Sequence, residues 1–329
     1  MNILVEGPRW MGQWSEIVVD SFMNLGHPAL LHYHNDKTMA FRLDRLIRGR
    51  DLAAFSNERL LAAARGRRID LLFSIQGKID AATVRALRDA NPGLKVVYWF
   101  GDILLDRARR RVEEVYEHVD QVLLSYHGDW MTMRPALGDK LAYFPFGVSE
   151  RFHRLPLPGP GEHRRFSSEV AFVGTHYPER DQLLRALAKS SVGRLRVWGR
   201  GWRRSRKIRS HGRLSMTDTL KVHRNALISL NIHHRQTNDG FNMKFFEIPA
   251  AGGFELCDWQ PEIDRLQLGD LVATFREGDD LADKVKFFLA RESLRREMSR
   301  RFQAAVYEKF RYDLRLGRLL AGLGSRGKS

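Results

Sequence analysis

Three side chains are spaced for work on an anionic ligand. Asp239, Lys244 and Glu247 lie in residues 239–258, which read Asp-Gly-Phe-Asn-Met-Lys-Phe-Phe-Glu-Ile-Pro-Ala-Ala-Gly-Gly-Phe-Glu-Leu-Cys-Asp. A strand-like run at 227–232 and a polar loop at 233–239 lead to Gly240 and Phe241. A helix starting near Asn242 would then aim backbone N–H groups and its positive end at an anion such as a diphosphate. Lys244 on its first turn adds a point charge. Glu247, about one turn further on, reaches hydroxyls next to a phosphate bound at the helix start. Pro249 removes a backbone donor and keeps the helix short or kinked, and Gly252 and Gly253 permit the left-handed residue that ends it. The same signals fit an ordinary loop, helix and strand with a solvated Glu247.

The elements that would position these residues alternate. Residues 2–6 form a short buried-strand pattern running into Gly7-Pro8-Arg9-Trp10, and residues 14–25 repeat apolar side chains at helical spacing before Gly26. Further strands are expected at 71–75, 95–100 and 121–125, with helices at 80–89 and 105–118. Strand, glycine turn and helix in alternation make an α/β domain, whose ligands gather at the carboxyl ends of its strands. Gly7 and Trp10 are therefore candidates on one side of a site. Trp10 and Trp99 can stack on a sugar face or fill a core. Asp102 follows a strand and Gly101; it can serve as a base toward a hydroxyl, orient a sugar, or cap a helix.

The stretch from Asp239 to Gly253 closely resembles the Asn-Met-Arg-x-Phe-Glu-x-x-x-x-Gly-Gly signature of the spore-maturation, CgeB-like glycosyltransferases, relatives of the group-1 family with the GT-B fold. In the wider family an acidic residue, seven residues and a Glu frame the donor site. The resemblance places Asp239 near the donor sugar and Glu247 on the ribose hydroxyls, with Gly240, Phe241, Asn242 and Lys244 between them. Glu247 and Glu255 also stand eight apart, but Glu255 falls in the following strand, where the family has an apolar or small residue. Asp239 replaces the usual Glu, and Lys244 stands where Arg is commoner, which loses a bidentate fork.

Other landmarks agree in order. Residues 170–174 form an apolar strand ending in Gly174-Thr175-His-Tyr-Pro-Glu-Arg180, which resembles the family's strand, glycine turn and basic residue, so Arg180 is the implied diphosphate ligand. Thr175 stands where relatives often have Arg. Residues 195–202, Leu-Arg-Val-Trp198-Gly199-Arg200-Gly-Trp, look like the strand and turn near the base; alone, such a Gly-x-Gly is more often a structural turn. Asp102 lies where CgeB-like proteins carry an acid. The implied architecture is α/β, GT-B: two Rossmann-like domains facing a central cleft, the carboxyl-terminal helix crossing back to the first. The boundaries read as 1–155 for the acceptor-side domain, 156–163 for a Pro/Gly-rich linker, 164–292 for the donor domain, and 293–329 for a helical segment returning to the first.

At 329 residues and 43% hydrophobic content the chain can build two cores. Its single cysteine excludes an internal disulfide, and no run approaches a membrane span, so a cytoplasmic protein, or one peripheral to a membrane, is expected. The twelve His lack zinc spacing, and no metal is expected. The absence of a P-loop, a nucleophile elbow and a complete dinucleotide fingerprint argues against an NTPase, a hydrolase and a dehydrogenase.

The net charge of +16 is uneven. Residues 1–160 carry 22 basic and 19 acidic side chains, and the rest 33 and 20, so +3 and +13 make the total. Residues 194–213 hold nine Arg or Lys and no acid, among them Arg200, Arg203, Arg204, Arg206, Lys207 and Arg209. Such a run can bind nucleic acid or anionic lipid, with Trp198 and Trp202 interleaved for stacking, or can be a solvated loop. The leading expectation is a metal-independent glycosyltransferase that uses a UDP-, dTDP- or GDP-linked sugar as co-substrate and needs no other cofactor. The alternatives are the same fold acting on a polyanionic acceptor such as modified DNA or a lipid-linked glycan, and a non-catalytic nucleic-acid or surface-binding protein.

Overall fold

The structure is a computed structural model, and it describes every residue except 10–12, 50, 191, 206, 235, 236, 238, 277 and 326–329. Trp10 and Arg206, both singled out above, therefore lie outside the described residues. The chain forms two compact units, Met1–Pro145 with Tyr312–Ser329, and Phe146–Arg311. The Pro/Gly-rich stretch 155–162 lies within the second.

In the first unit β1 (Ile3–Gly7), β2 (Ala29–Tyr33), β3 (Leu71–Ile75), β4 (Lys95–Phe100), β5 (Gln121–Leu124) and β6 (Leu141–Tyr143) form one parallel sheet in the order β2-β1-β3-β4-β5-β6. Central strands covered by helices on both faces need unbroken apolar runs, and β1 and β3 are buried at every position. The edge strand β2 is half-exposed and carries no such run. One end of the core is an aromatic knot in which Trp99 meets Trp14, Phe144 and Tyr312 edge-on, at 4.5, 5.0 and 5.8 Å. The Trp99 indole donates to Ser125 Oγ, so this ring is core and stacks on no ligand.

The second unit repeats the plan. Strands β7 (Ser168–Val173), β8 (Leu195–Trp198), β9 (Ala226–Asn231), β10 (Glu255–Asp258) and β11 (Ala273–Phe275) lie parallel in the order β11-β10-β9-β7-β8. In both units the strand order reverses once, between β1 and β3 and between β7 and β9. Doubly wound sheets take their ligands at such a point, in the crevice beyond the carboxyl ends of the strands.

The expected last helical stretch is two helices, Glu292–Lys309 in the second unit and Tyr312–Ser325 in the first. They part at Phe310 and Arg311, where the Phe310 carbonyl leaves the helical ladder to accept Val148 N–H at 3.0 Å.

Candidate functional site

The crevice of the second unit is built from the loop after β7, the loop after β9 and the short helix Lys244–Ala250. Gly174 and Gly199 let the ends of β7 and β8 touch. A Cβ on Gly199, whose φ is +135°, would sit 1.9 Å from the Gly174 carbonyl oxygen. That same oxygen accepts the Trp202 indole N–H at 2.8 Å. Gly174 N–H donates to Trp198 O and His176 N–H to Arg200 O. The intervening Thr175, exposed, has no such backbone partner among the described residues.

Arg180 enters from the first turn of helix Pro178–Lys189, and its side chain turns inward. Its Nε and Nη2 donate to Ile232 O at 3.0 and 2.6 Å, and Nη1 to Thr175 O at 3.2 Å. The guanidinium packs beside the Tyr177 and Phe172 rings and is 7% exposed. In this arrangement it ties the two crevice loops together; the sequence suggested a group held out toward a diphosphate.

Asn242 starts the short helix. Its Oδ1 accepts the Lys244 and Phe245 amides, at 2.9 and 3.3 Å, and its Nδ2 donates to Asn231 Oδ1 at 2.8 Å. One side chain thereby satisfies two amides at the start of the helix and fixes it to the end of β9. Below it Phe241 lies flat on Phe245, centroids 3.6 Å apart, and Phe245 meets Phe302 edge-on. Phe241 is fully buried, so it packs the helix and contacts no ligand directly. Burying each such ring contributes about 2–3 kcal/mol. Gly252, at φ +82°, ends the helix as expected, and Gln303 and Tyr307 donate to the Ala250 carbonyl.

Lys244 is partly exposed and Glu247 is buried, on the same short helix. Burial lowers the Lys244 ammonium from its ordinary pKa; the Arg180 charge adds to this, and Glu247 and Glu255 oppose it. Burial raises the Glu247 carboxyl against the pull of Lys244. Two cations and a carboxyl therefore sit within electrostatic reach of one another at the carboxyl end of the sheet. Asp239 takes a left-handed φ of +47° and pairs with Arg265.

Sequence reasoning missed the polar layer beneath. Glu255, set aside above as a strand residue, is 3% exposed and accepts Asn231 Nδ2 at 2.9 Å. Burial pushes its carboxyl well above the usual range. His233 donates its backbone N–H to Asp258 Oδ1, and its Nδ1 lies 2.9 Å from the same oxygen. Burial raises Asp258, but His233 and Gln260 hold it below its ordinary value. Glu255 and Asp258, two acids bracketing an otherwise apolar strand, were the available signal.

The remaining candidates do not join this group. Trp198 is 3% exposed, in a cluster with Phe166, Val173 and Val222, and Trp202 is equally buried, so neither has a free face for a base. Arg200, Arg203, Arg204, Lys207 and Arg209 are exposed on a loop that returns to the edge of β8, where Gly199 N–H donates to Gly212 O. In the first unit Gly7 packs against Ser15; a Cβ there would lie 2.2 Å from Ser15 Oγ, which leaves no space for a side chain at this position. Asp102 is exposed and accepts its neighbour Ile103 N–H at 2.9 Å. The next helix begins only at Asp106, so Asp102 is not its cap.

Residues 180–321, less than half of the chain, match the model of a family described as Glycosyl transferase-like. No curated protein matches the chain. Solved structures do match over nearly their whole length. A glycosyltransferase from Rickettsia africae has a TM-score of 0.71 at 11% identity, covering 100% of this chain and 99% of its own. A sucrose-phosphate synthase from Thermosynechococcus elongatus has 0.69 at 10%, covering 99% and 100%. The Anabaena protein HepE, in complex with UDP-glucose, has 0.68 at 12%, covering 98% and 100%. The chain thus has the α/β fold of the GT-B glycosyltransferases, with a glycosyltransferase-like segment that begins at Arg180 and contains the crevice helix.

Proposed function

We propose that the protein is a metal-independent glycosyltransferase of the CgeB-like kind, moving a sugar from a nucleotide-sugar donor to an acceptor hydroxyl. The observation that carries this is the placement of Arg180, Lys244 and Glu247 together at the switch point of the second sheet, inside the glycosyltransferase-like segment. Glu247 receives the ribose hydroxyls. Lys244 and the Thr175 N–H face the diphosphate, and Gly174, Gly199 and Gly240 keep the backbone close. Asn242 holds the helix that carries Lys244 and Glu247, and Arg180 supplies buried positive charge while fixing Thr175. Asp239 stands toward the donor sugar, and Asp102 is the candidate base toward the acceptor, with Gly7 and Trp10 on the acceptor side. Negative charge grows on the departing nucleoside diphosphate, and cations fixed in a site of low polarity stabilise it without reorganising. Structures of this fold hold UDP-glucose and UDP-2-fluoro glucose, so a UDP-linked sugar is the first donor to try, before dTDP and GDP. A cytoplasmic location suits such donors.

The exposed run of Arg200, Arg203, Arg204, Lys207 and Arg209 favours a second reading, in which the acceptor is a polyanion recruited by that loop. Release of nucleoside diphosphate from a panel of nucleotide sugars tests both. The proposal predicts donor hydrolysis or transfer that collapses in Glu247→Ala. Turnover unchanged in that variant would overturn the donor assignment. Salt-sensitive DNA binding with no turnover of any donor would leave a binding protein on a GT-B scaffold.

A further inference from the structure

Helix Met39–Arg48 of the first unit turns its apolar stripe outward. Thr38 caps it, accepting Phe41 N–H at 3.2 Å, and Gly49 ends it at φ +65°, so its ends are satisfied locally. Phe41 faces inward at 6% exposure, while Met39, Leu43, Leu46 and Ile47 are 66%, 52%, 82% and 77% exposed. At about 100° per residue these four share one arc of roughly 100°, and Phe41 lies on the opposite side. The other large exposed apolar residues, such as Leu105, Met131 and Leu157, stand singly in separate elements. Arg42 borders the stripe on one side and Lys37 precedes the helix, while Arg45 and Arg48 lie toward the Phe41 side; of these four, among the described residues, only Arg48 has an ion pair, with Asp44 at 3.7 Å. Beside the helix a groove of about 840 Å³ is lined by Lys37, Arg42 and Arg45 together with Phe41, Leu46 and Leu52, and by one acid, Asp51, so cations outnumber the acid three to one in a partly apolar recess.

We propose that this helix docks the protein on an anionic lipid surface, its apolar stripe entering the headgroup boundary and its basic flank meeting lipid phosphates. An outward apolar stripe with cations along one flank matches the two layers of a bilayer interface, apolar below and anionic above. A partner protein face would have to supply both in the same order. Among the described residues no helix is long and apolar enough to cross a membrane, so the attachment is peripheral. The docking does not depend on the transferase reading. Joined to it, the docking brings the first unit to a surface that carries lipid-linked acceptors.

Co-sedimentation of the full chain with phosphatidylcholine vesicles, with and without phosphatidylglycerol, tests this. The wild type should bind the anionic vesicles in a salt-sensitive way and the neutral ones far more weakly. Leu46→Glu with Ile47→Glu should weaken binding on the order of a hundredfold, Arg42→Gln with Arg45→Gln about tenfold, and Arg203→Gln with Arg204→Gln hardly at all. All four positions of the first two variants are on the surface, and an unchanged melting temperature shows that they fold. Absence of vesicle binding by the wild type would overturn the proposal. So would binding that survives Leu46→Glu with Ile47→Glu, which would assign it to the basic loop. A dimer in light scattering that this variant dissociates would also overturn it, because a second copy would then cover the stripe.

Discussion

Replacing Arg180 with Met tests whether its guanidinium is a tie within the fold or a hand held out to a ligand. The aliphatic stem keeps a partner of similar length, but three donors are lost. The Thr175 carbonyl lies in an exposed loop and can turn to water. The carbonyl of Ile232, a residue 3% exposed, cannot, and an orphaned buried acceptor costs about 1–3 kcal/mol. Charge-assisted hydrogen bonds add roughly 1.5–3 kcal/mol each, from which the recovered desolvation of a buried cation must be subtracted. A net loss of about 2–3 kcal/mol remains, which for a unit of this size lowers Tm by roughly 4–12 °C. Differential scanning calorimetry without ligand reads this directly. A melting temperature unchanged within about a degree, with nucleotide binding abolished, would refute the reasoning and return Arg180 to the role its sequence position suggested.

Gly199→Ala must place a Cβ 1.9 Å from a backbone oxygen at φ +135°, so the second unit should lose about 3 kcal/mol or more, seen as a large drop in denaturation midpoint. In the first unit, burial pushes Glu6 up to about 7, against the Ser74 hydroxyl, the Arg111 charge and the Lys78 amide. Between pH 4.5 and about 7 the unfolded chain gives up this proton and the folded chain keeps it, so the Glu6 contribution falls as pH rises through that window and is flat above it. Buried His32 and half-buried His34, each lowered to about 4, slope the other way, so the informative quantity is a difference. Glu6→Gln should gain on the wild type by about 3 kcal/mol across the window in urea titrations at successive pH values. A constant difference would mean that Glu6 is ionised in the fold.

The central strands were legible because a buried parallel strand needs an unbroken apolar run; residues 71–75 and 95–100 became β3 and β4 without adjustment. The edge strand β2 was not, since one side of it faces solvent and its pattern is mixed. At the site, the turn, the helix and its glycine stop could be read from Asn242 to Gly252, because each of those residue types has a local backbone reason to be there. What side chains do with their donors could not. Arg180 and Asn242 look like ligand groups in a string of letters, yet they spend their hydrogen bonds on Thr175, just after β7, and on Ile232 and Asn231, at the end of β9. Trp198 looks like a base platform and is core, because the end of β8 is buried and Trp198 packs with Val222 of helix Met216–Asn225. Glu255, read from the sequence only as a residue of the following strand, is buried because β10 lies between β9 and β11.

The most direct measurement is a calorimetric titration of the purified protein with UDP, GDP and dTDP, repeated on Glu247→Ala. The account predicts that one nucleotide binds at a single site. That nucleotide should add about 2.7 kcal/mol of apparent stability at a hundredfold excess over its dissociation constant. Its affinity should fall at least about tenfold in the variant, as expected when ribose hydroxyls lose the carboxylate that accepts from them. Equal affinity in the wild type and the variant, or no binding of any nucleotide to a folded protein, would contradict it.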